Sequence, residues 1–245
     1  MRKDDKKYFG NVRRAEERYA RALRSVARHI GEIVRHMTPN DPTQTSELRA
    51  TLKRYAEVLK PWARTVAAKM VAEVTRRDEA AWNKMSKEMA RQLRQEVKTA
   101  PTGKMLVGML QENVDLITSL PVKAAERVHE LSLRALETST RAKEIAKEIA
   151  KTGKVIISRA NLIARTEVAR TASGLVEARA LHVGSEGYIW RTAGDADVRP
   201  LHRKLNGTFH RWDEPPISGS DGERAHAGQI YNCRCYPEPV IPEEL

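Results

Sequence analysis

The chain has 245 residues, of which 40% are hydrophobic and 31% are charged, and its formal net charge at pH 7 is +12. This length and apolar content can bury a core, so we expect a folded chain. No apolar run approaches the roughly 18 residues that cross a bilayer, and no apolar segment follows the charged N-terminus, so we expect a soluble protein made in a cytoplasm, with no membrane partner.

The positive charge is unevenly distributed. Residues 154–245 contain 12 Lys or Arg and 12 Asp or Glu, so residues 1–153 contain the other 32 and 20. A basic surface attracts polyanions, of which double-stranded DNA is the usual one, although an acidic protein or simple solvation of the surface fits the same charge. We therefore divide the chain into a basic region, 1–153, and a charge-balanced region, 154–245.

Helical spacing dominates the first region. Apolar residues recur every three or four positions from Tyr8 to Met37, which predicts one long amphipathic helix. After the Pro-containing segment 38–45, the same spacing runs from Ser46 to Lys98, where Pro61 should kink or restart the helix. Helices are also predicted for 104–119 and, with Pro121 in a first turn, for 121–151, with Gly153 ending the last one.

The second region reads as a mixed α/β domain. We predict a helix from 155 to 183 capped by Ser158 and stopped by Gly184, a strand at 187–192, and a short helix entered through Asp195 or Asp197 and left through Asn206 and Gly207. A short strand at 209–212, an exposed loop at 215–228 and a last strand at 229–241 complete it. The predicted fold class is α+β, with a long, mostly helical N-terminal region and a small compact domain of few short strands.

The two cysteines of the chain lie in the last predicted strand. Cys233 and Cys235 would share one face of that strand, because side chains alternate with period two. Two thiolates can reach one Zn²⁺ at about 2.3 Å, and a structural site then needs two more ligands. His202 and His226 are the natural candidates, and His182 and His210 are possible substitutes. Small buried thiols without a metal remain the alternative, because the spacing is weaker evidence than paired Cys-x-x-Cys motifs.

Two catalytic hypotheses remain open beside a structural zinc site. A cysteine with His226 as base would make a thiol nucleophile, but the sequence indicates no orienting partner. Glu167, Asp195, Asp197 and His202 could form a nuclease-like Mg²⁺ cluster, although turns and capping explain both aspartates more simply. No glycine-rich phosphate loop is present in the sequence.

Several blocks of the second region together carry a resemblance. In order they read ANLIARTEVARTASG (160–174), WRTAGDADVRPLHRKLNG (190–207), PP (215–216) and HAGQIYNCRC (226–235). Over about residues 155–242 this pattern resembles the phage Mu F-like domain of tailed-phage head morphogenesis, or minor head, proteins. By matching positions, its motif falls on Arg165, Thr166, Glu167, Trp190, Thr192, Asp195, Arg199, His202, Leu205, Gly207, His226, Gly228, Asn232, Cys233, Arg234 and Cys235. Ala227 departs from the pattern, which commonly has proline after the histidine.

The resemblance implies a minor head protein of a tailed bacteriophage, located in the head interior near the portal vertex and present in several copies around the portal. Its partners would be the portal protein and other head proteins, and double-stranded DNA through the basic helices. It implies no defined reaction, so we expect no catalytic residues and no certain cofactor beyond a possible structural zinc. A metal-dependent nuclease and a DNA-binding protein outside the virion are the competing functions.

Overall fold

A computed structural model describes residues 12–37, 45–85, 99–138 and 142–242. Within these described residues, five long or medium helices come first: α1 (Arg13–Met37), α2 (Thr45–Met85), α3 (Gly103–Thr138), α4 (Ala142–Ala150) and α5 (Thr152–His182). They are followed by β1 (Gly187–Arg191), α6 (Pro200–Leu205), β2 (Phe209–Arg211) and β3 (Tyr236–Val240). The predicted α+β class, with a helical N-terminal region and few short strands, is confirmed.

The chain forms two compact units, each assembled from several segments. One contains residues 1–16, 69–109 and 165–245, and the other contains 17–68 and 110–164. The second unit is built of helices alone in its described part, and side chains such as Leu23, Ile30, Leu52, Ile117 and Ile149 are buried in it. The boundary at residue 153 was inferred from composition and charge, and it stays a prediction.

The first unit holds the sheet. Its strand order is β2-β1-β3 and both pairings are antiparallel, with Tyr188 opposite His210 on one side and Pro239 on the other. Aromatic side chains from β1, Tyr188 and Trp190, pack with Trp212 and with Trp82 of α2 in one buried cluster. The concentration of aromatic residues after position 187 therefore builds the core against which this small sheet folds.

Several predicted helix boundaries were wrong. α2 runs through Pro61 without restarting, and α3 runs through Pro121. Pro61 is exposed, so water can satisfy the carbonyl whose hydrogen bond the proline removes. Gly153 is the second residue of α5 and does not end the preceding helix, and Ser158 lies inside α5. Gly184 does follow the helix end, with a positive φ of 78°.

The last strand is also shorter than predicted. It begins at Tyr236, so Cys233 and Cys235 precede it in irregular backbone and do not share the face of a strand. Asn232, with a φ of 58°, turns the chain just before the cysteines. Asp195 and Asp197 do not cap α6, whose N-cap residue Arg199 makes no side-chain cap bond. Of the second predicted helix, Met89, Leu93 and Val97 lie outside the described residues, as does Tyr8 of the first.

In the part of the chain that the structure describes, no helix has both the length and the apolar character that crossing a membrane requires.

Candidate metal centre

Three side chains from two distant parts of the sequence meet inside the first unit. His202 comes from α6, and Cys233 and Cys235 come from the segment before β3; their exposed fractions are 2%, 2% and 5%. The Nδ1 atom of His202 lies 3.5 Å from Sγ of Cys233 and 3.4 Å from Sγ of Cys235. With one ligand atom taken from each residue, the three atoms lie within 4.8 Å of one another. We call these three residues the Cys-Cys-His cluster.

The histidine ring is held in one orientation. Its Nε2 atom lies 3.0 Å from the carbonyl oxygen of Ser218, which can only accept, so Nε2 carries the proton and donates it. The lone pair of Nδ1 then points toward the two thiols. Trp190 packs edge-on against the ring with 5.2 Å between centroids. A backbone carbonyl that fixes the tautomer in this way is the usual outer-shell partner of a metal-binding histidine.

The cysteine segment is shaped by a turn held from α5. The backbone N–H of Asn232 donates to Oγ1 of Thr166 at 3.0 Å, and its Oδ1 accepts from Arg165 at 3.1 Å. Gly228, with a φ of 87°, passes so close to the carbonyl of Cys235 that an added Cβ would lie 2.9 Å from that oxygen. A side chain at position 228 would therefore displace the segment that carries the thiols.

The two thiols share a proton unequally. The hydrogen bond from Cys235, with a further contribution from His202, lowers the pKa of Cys233 to about 4. The same hydrogen bond, with burial as the second cause, raises the pKa of Cys235. Without a metal the cluster thus favours one thiolate, stabilised by a neighbouring thiol. A thiolate, a second cysteine and a neutral imidazole form a donor set that suits Zn²⁺.

His226 is not a member of the cluster, which corrects the four-ligand set expected from the sequence. Its Nδ1 atom lies 3.1 Å from the hydroxyl of Tyr188, and its Nε2 atom lies 3.9 Å from Oε1 of Glu177. Burial lowers the pKa of His226, so the neutral ring is favoured among Tyr188 and Trp212. The possible substitutes also lie elsewhere: His182 contacts Thr99 and His210 contacts Thr208.

The carboxylates of the nuclease-like reading do not converge on His202. Glu167 is buried and contacts Arg170, whereas Asp195 and Asp197 both pair with Arg234. Among the described residues, the Cys-Cys-His cluster is the group of His, Cys, Asp or Glu side chains positioned to hold a metal. The geometry therefore gives no support to a Mg²⁺ site built from Glu167 and Asp195.

A cavity of about 320 Å³ opens beside the cluster. Three arginines are among the residues that line it. The lining residues are Arg165, Asp197, Val198, Arg199, His202, Asn232, Cys233, Arg234 and Cys235. Both cysteines and the histidine thus border a space that reaches solvent, although their side chains are almost completely buried.

The remaining motif residues have visible structural duties. Trp190 is in the core, Leu205 packs against it, and Gly207 adopts a positive φ of 86° after α6. Thr192 donates from its backbone N–H to Asn206 Oδ1 at 3.0 Å, and its hydroxyl lies 3.2 Å from the same oxygen. Reasoning from the sequence missed Ser218, because its contribution is a backbone carbonyl, and it missed the pairing of Tyr188 and Glu177 with His226. No residue-type pattern signals either arrangement.

Residues 126–237 match the model of a family described as Phage Mu protein F like protein. This match confirms the resemblance carried by the sequence motifs, and it begins further upstream than expected, within α3. A Haemophilus influenzae protein, described as an uncharacterized protein, is 30% identical over 129 residues. The aligned part is 53% of this chain but 28% of that relative, so the chain spans only a part of the length of the relative. No solved structure matches the chain.

Proposed function

We propose that this protein is a minor head protein of a tailed bacteriophage that associates with the portal inside the head, because residues 126–237 match the model of the phage Mu F-like family. The family match is the observation that carries this proposal. The structural duties of the motif residues support a non-enzymatic role, since they hold turns, a small core and a histidine tautomer. Helices outside the family match would supply contacts to the portal and to other head proteins.

The portal association can be tested by co-expression. The full chain and the portal protein of the same phage would be produced together and separated by size. The proposal expects both to elute in one complex, with this chain in several copies per portal ring. Elution of this chain apart from an assembled portal ring at micromolar concentration would contradict the portal association.

Contact with packaged DNA is the second part of the proposal. In the helical unit, α1 exposes Arg21, Arg28 and Arg35 at intervals of seven residues, so they lie along one stripe about 10 Å apart. Arg18 is exposed one turn before Arg21, and Glu17 and Glu32 are exposed acidic residues on the same face. Such a row of cations would bind DNA phosphates without reading sequence, as a protein that meets any part of a genome requires.

We also infer that the Cys-Cys-His cluster holds a zinc ion that closes the compact domain. The support is the burial of all three residues, the convergence of their ligand atoms and the fixed tautomer of His202. Zinc would replace the shared thiol proton and join α6 to the segment before β3. Elemental analysis of the purified full chain should find about one zinc per chain, and a content far below that would contradict the zinc inference.

A further inference from the structure

The Cys-Cys-His cluster provides three ligands, and zinc takes four. Structural zinc sites are closed by four protein ligands, whereas a site with three keeps one position for water or an external ligand. Among the described residues no fourth His, Cys, Asp or Glu completes the group. His226, the candidate suggested by sequence, is engaged with Tyr188 and Glu177. The fourth position is therefore not filled by a His, Cys, Asp or Glu side chain in the described part of the chain.

The open position faces the arginine-lined cavity. His202, Cys233 and Cys235 border the same space of about 320 Å³ as Arg165, Arg199 and Arg234. That volume exceeds the roughly 30 Å³ that one water occupies in the liquid, so the cavity has room for a polyatomic ligand. A ligand bound to the metal would thus lie among guanidinium groups.

Arg199 has the most donors left for such a ligand. One of its Nη2 hydrogens is donated to the carbonyl oxygen of Tyr231 at 2.7 Å, and no carboxylate lies in an ion pair with it among the residues that the structure describes. Arg165 is shared between Glu16 and Asn232, and Arg234 is held by Asp195 and Asp197. A guanidinium group offers five N–H donors in a planar fork that suits an oxyanion.

Arg199 supplies the one cavity arginine that no described carboxylate pairs with. A Zn²⁺ bound by two thiolates and a neutral imidazole contributes no net charge. Arg165 pairs with Glu16, and Arg234 pairs with Asp195 and Asp197, so only the charge of Arg199 is left without an ion pair among the described residues. An oxyanion with several oxygens can contact the metal, Arg199 and the remaining donors of the neighbouring arginines at the same time.

We propose that the fourth position of this metal centre binds a phosphate-type oxyanion, with one oxygen on the metal and the others on Arg199 and its neighbours. This inference rests on the proposed zinc site. It makes the metal centre a ligand-binding site and not a structural site with four protein ligands. Binding exchanges a metal-bound water for a phosphate oxygen, with no covalent bond made or broken in the protein.

Cobalt substitution tests the proposal without any assumed activity. The full chain would be loaded with Co²⁺, whose thiolate charge-transfer band reports the two cysteines and whose visible bands report the fourth ligand. Inorganic phosphate should shift the visible bands with saturation in the millimolar range, while the charge-transfer band persists. Replacing Arg199 by glutamine should weaken phosphate binding at least tenfold and leave the cobalt content unchanged.

The control is Arg203→Gln, because Arg203 lies on the same short helix, is exposed and does not line the cavity. It should bind phosphate as the unchanged protein does. If one cobalt is bound per chain and phosphate does not change the visible bands, the phosphate proposal is overturned, while the proposed zinc site is not affected. Failure to bind cobalt or zinc would overturn both, so the two failures are distinguishable.

Other anions define the ligand class. Acetate, a monoanion, should shift the bands at least tenfold less effectively than phosphate; equal affinity for acetate and phosphate would overturn the phosphate assignment. A nucleoside monophosphate that binds more tightly than phosphate would identify a nucleotide-borne phosphate as the ligand, and one that binds more weakly would identify free phosphate. Loss of phosphate binding in Arg203→Gln but not in Arg199→Gln would overturn the role given to Arg199.

Discussion

Gly31 of α1 and Gly153 of α5 approach each other so closely that a Cβ added to Gly153 would lie 2.9 Å from the Cα atom of Gly31. Both belong to the helical unit. Backbone, unlike the end of a flexible side chain, cannot move aside at little cost, so the two helices can meet here only because both residues lack a side chain.

Gly153→Ala should therefore destabilise the protein by about 1–2 kcal/mol, because the steric cost exceeds the gain in helix propensity. Urea denaturation followed by helical circular dichroism would measure it. The matched control is Gly108→Ala in α3, where an added Cβ meets nothing within 4 Å. It should stabilise the protein by roughly 0.5–1 kcal/mol. If Gly153→Ala also stabilises the protein, the close approach is wrong.

The zinc inference predicts which variants lose metal. Cys233→Ser, Cys235→Ser and His202→Ala should each lose most of the bound zinc and lower the thermal midpoint, because each removes a ligand of the cluster. His226→Gln should keep a full zinc content, since His226 hydrogen-bonds Tyr188 outside the cluster. Loss of zinc in His226→Gln, with retention in His202→Ala, would restore the ligand set expected from sequence.

A buried ion pair between Arg179 and Asp78 predicts a variant whose loss of stability depends on pH. Nε of Arg179 lies 2.7 Å from Oδ2 of Asp78, with both side chains almost fully buried and Glu79 a further 3.7 Å partner of Arg179. Burial raises the pKa of Asp78 to about 6, against the hydrogen bond and positive charge of Arg179, which lower it. Removing Arg179 should therefore raise this pKa further.

A carboxyl group with a raised folded pKa contributes stability at low pH, and that stability is lost as the pH rises through the folded pKa. Arg179→Met should thus cost about 3 kcal/mol or more at pH 8, where Asp78 must be buried as an unpaired charge, and distinctly less at pH 5. The control is Arg77→Met, which breaks the ion pair between Arg77 and Glu73. This pair is more exposed than the pair of Arg179 and Asp78, so the variant should cost under about 1 kcal/mol at either pH. An equal cost for Arg179→Met at pH 5 and pH 8 would contradict this account of Asp78.

DNA contact through α1 predicts a change in salt dependence. Arg21→Gln, Arg28→Gln and Arg35→Gln combined should weaken binding of the full chain to double-stranded DNA and reduce the slope of log affinity against log salt by up to about 3. The control removes the same charge from exposed positions of the other unit, with Lys204→Gln, Arg211→Gln and Arg224→Gln. Identical losses in both triple variants would indicate a general charge effect and no binding stripe.

The helical part of the fold was predictable because each helix buries one stripe of apolar side chains, which leaves a period in the sequence. Tyr19, Leu23, Val26 and Ile30 of α1 follow that period and are buried. The boundaries near Pro61 and Pro121 were mistaken, since exposed or packed helix surfaces can tolerate one missing hydrogen bond. Local sequence does not record how well the surroundings compensate for it.

The candidate site was predictable in its residue types but not in its geometry. Cys233, Cys235 and His202 were identified as ligands from their chemistry, and their ligand atoms do converge. His226 has the same chemistry as His202, and only the contact with Tyr188 separates them. Which of several histidines reaches a metal depends on packing between distant segments, and a single sequence carries no pattern for that.

The measurement that tests the central proposal most directly is quantitative mass spectrometry of purified phage particles, with the portal subunit as internal reference. A minor head protein should be present at a reproducible amount close to, or below, one chain per portal subunit, and should persist in particles washed at high salt. Absence of the chain from washed particles that contain the portal would contradict the proposed role in the head.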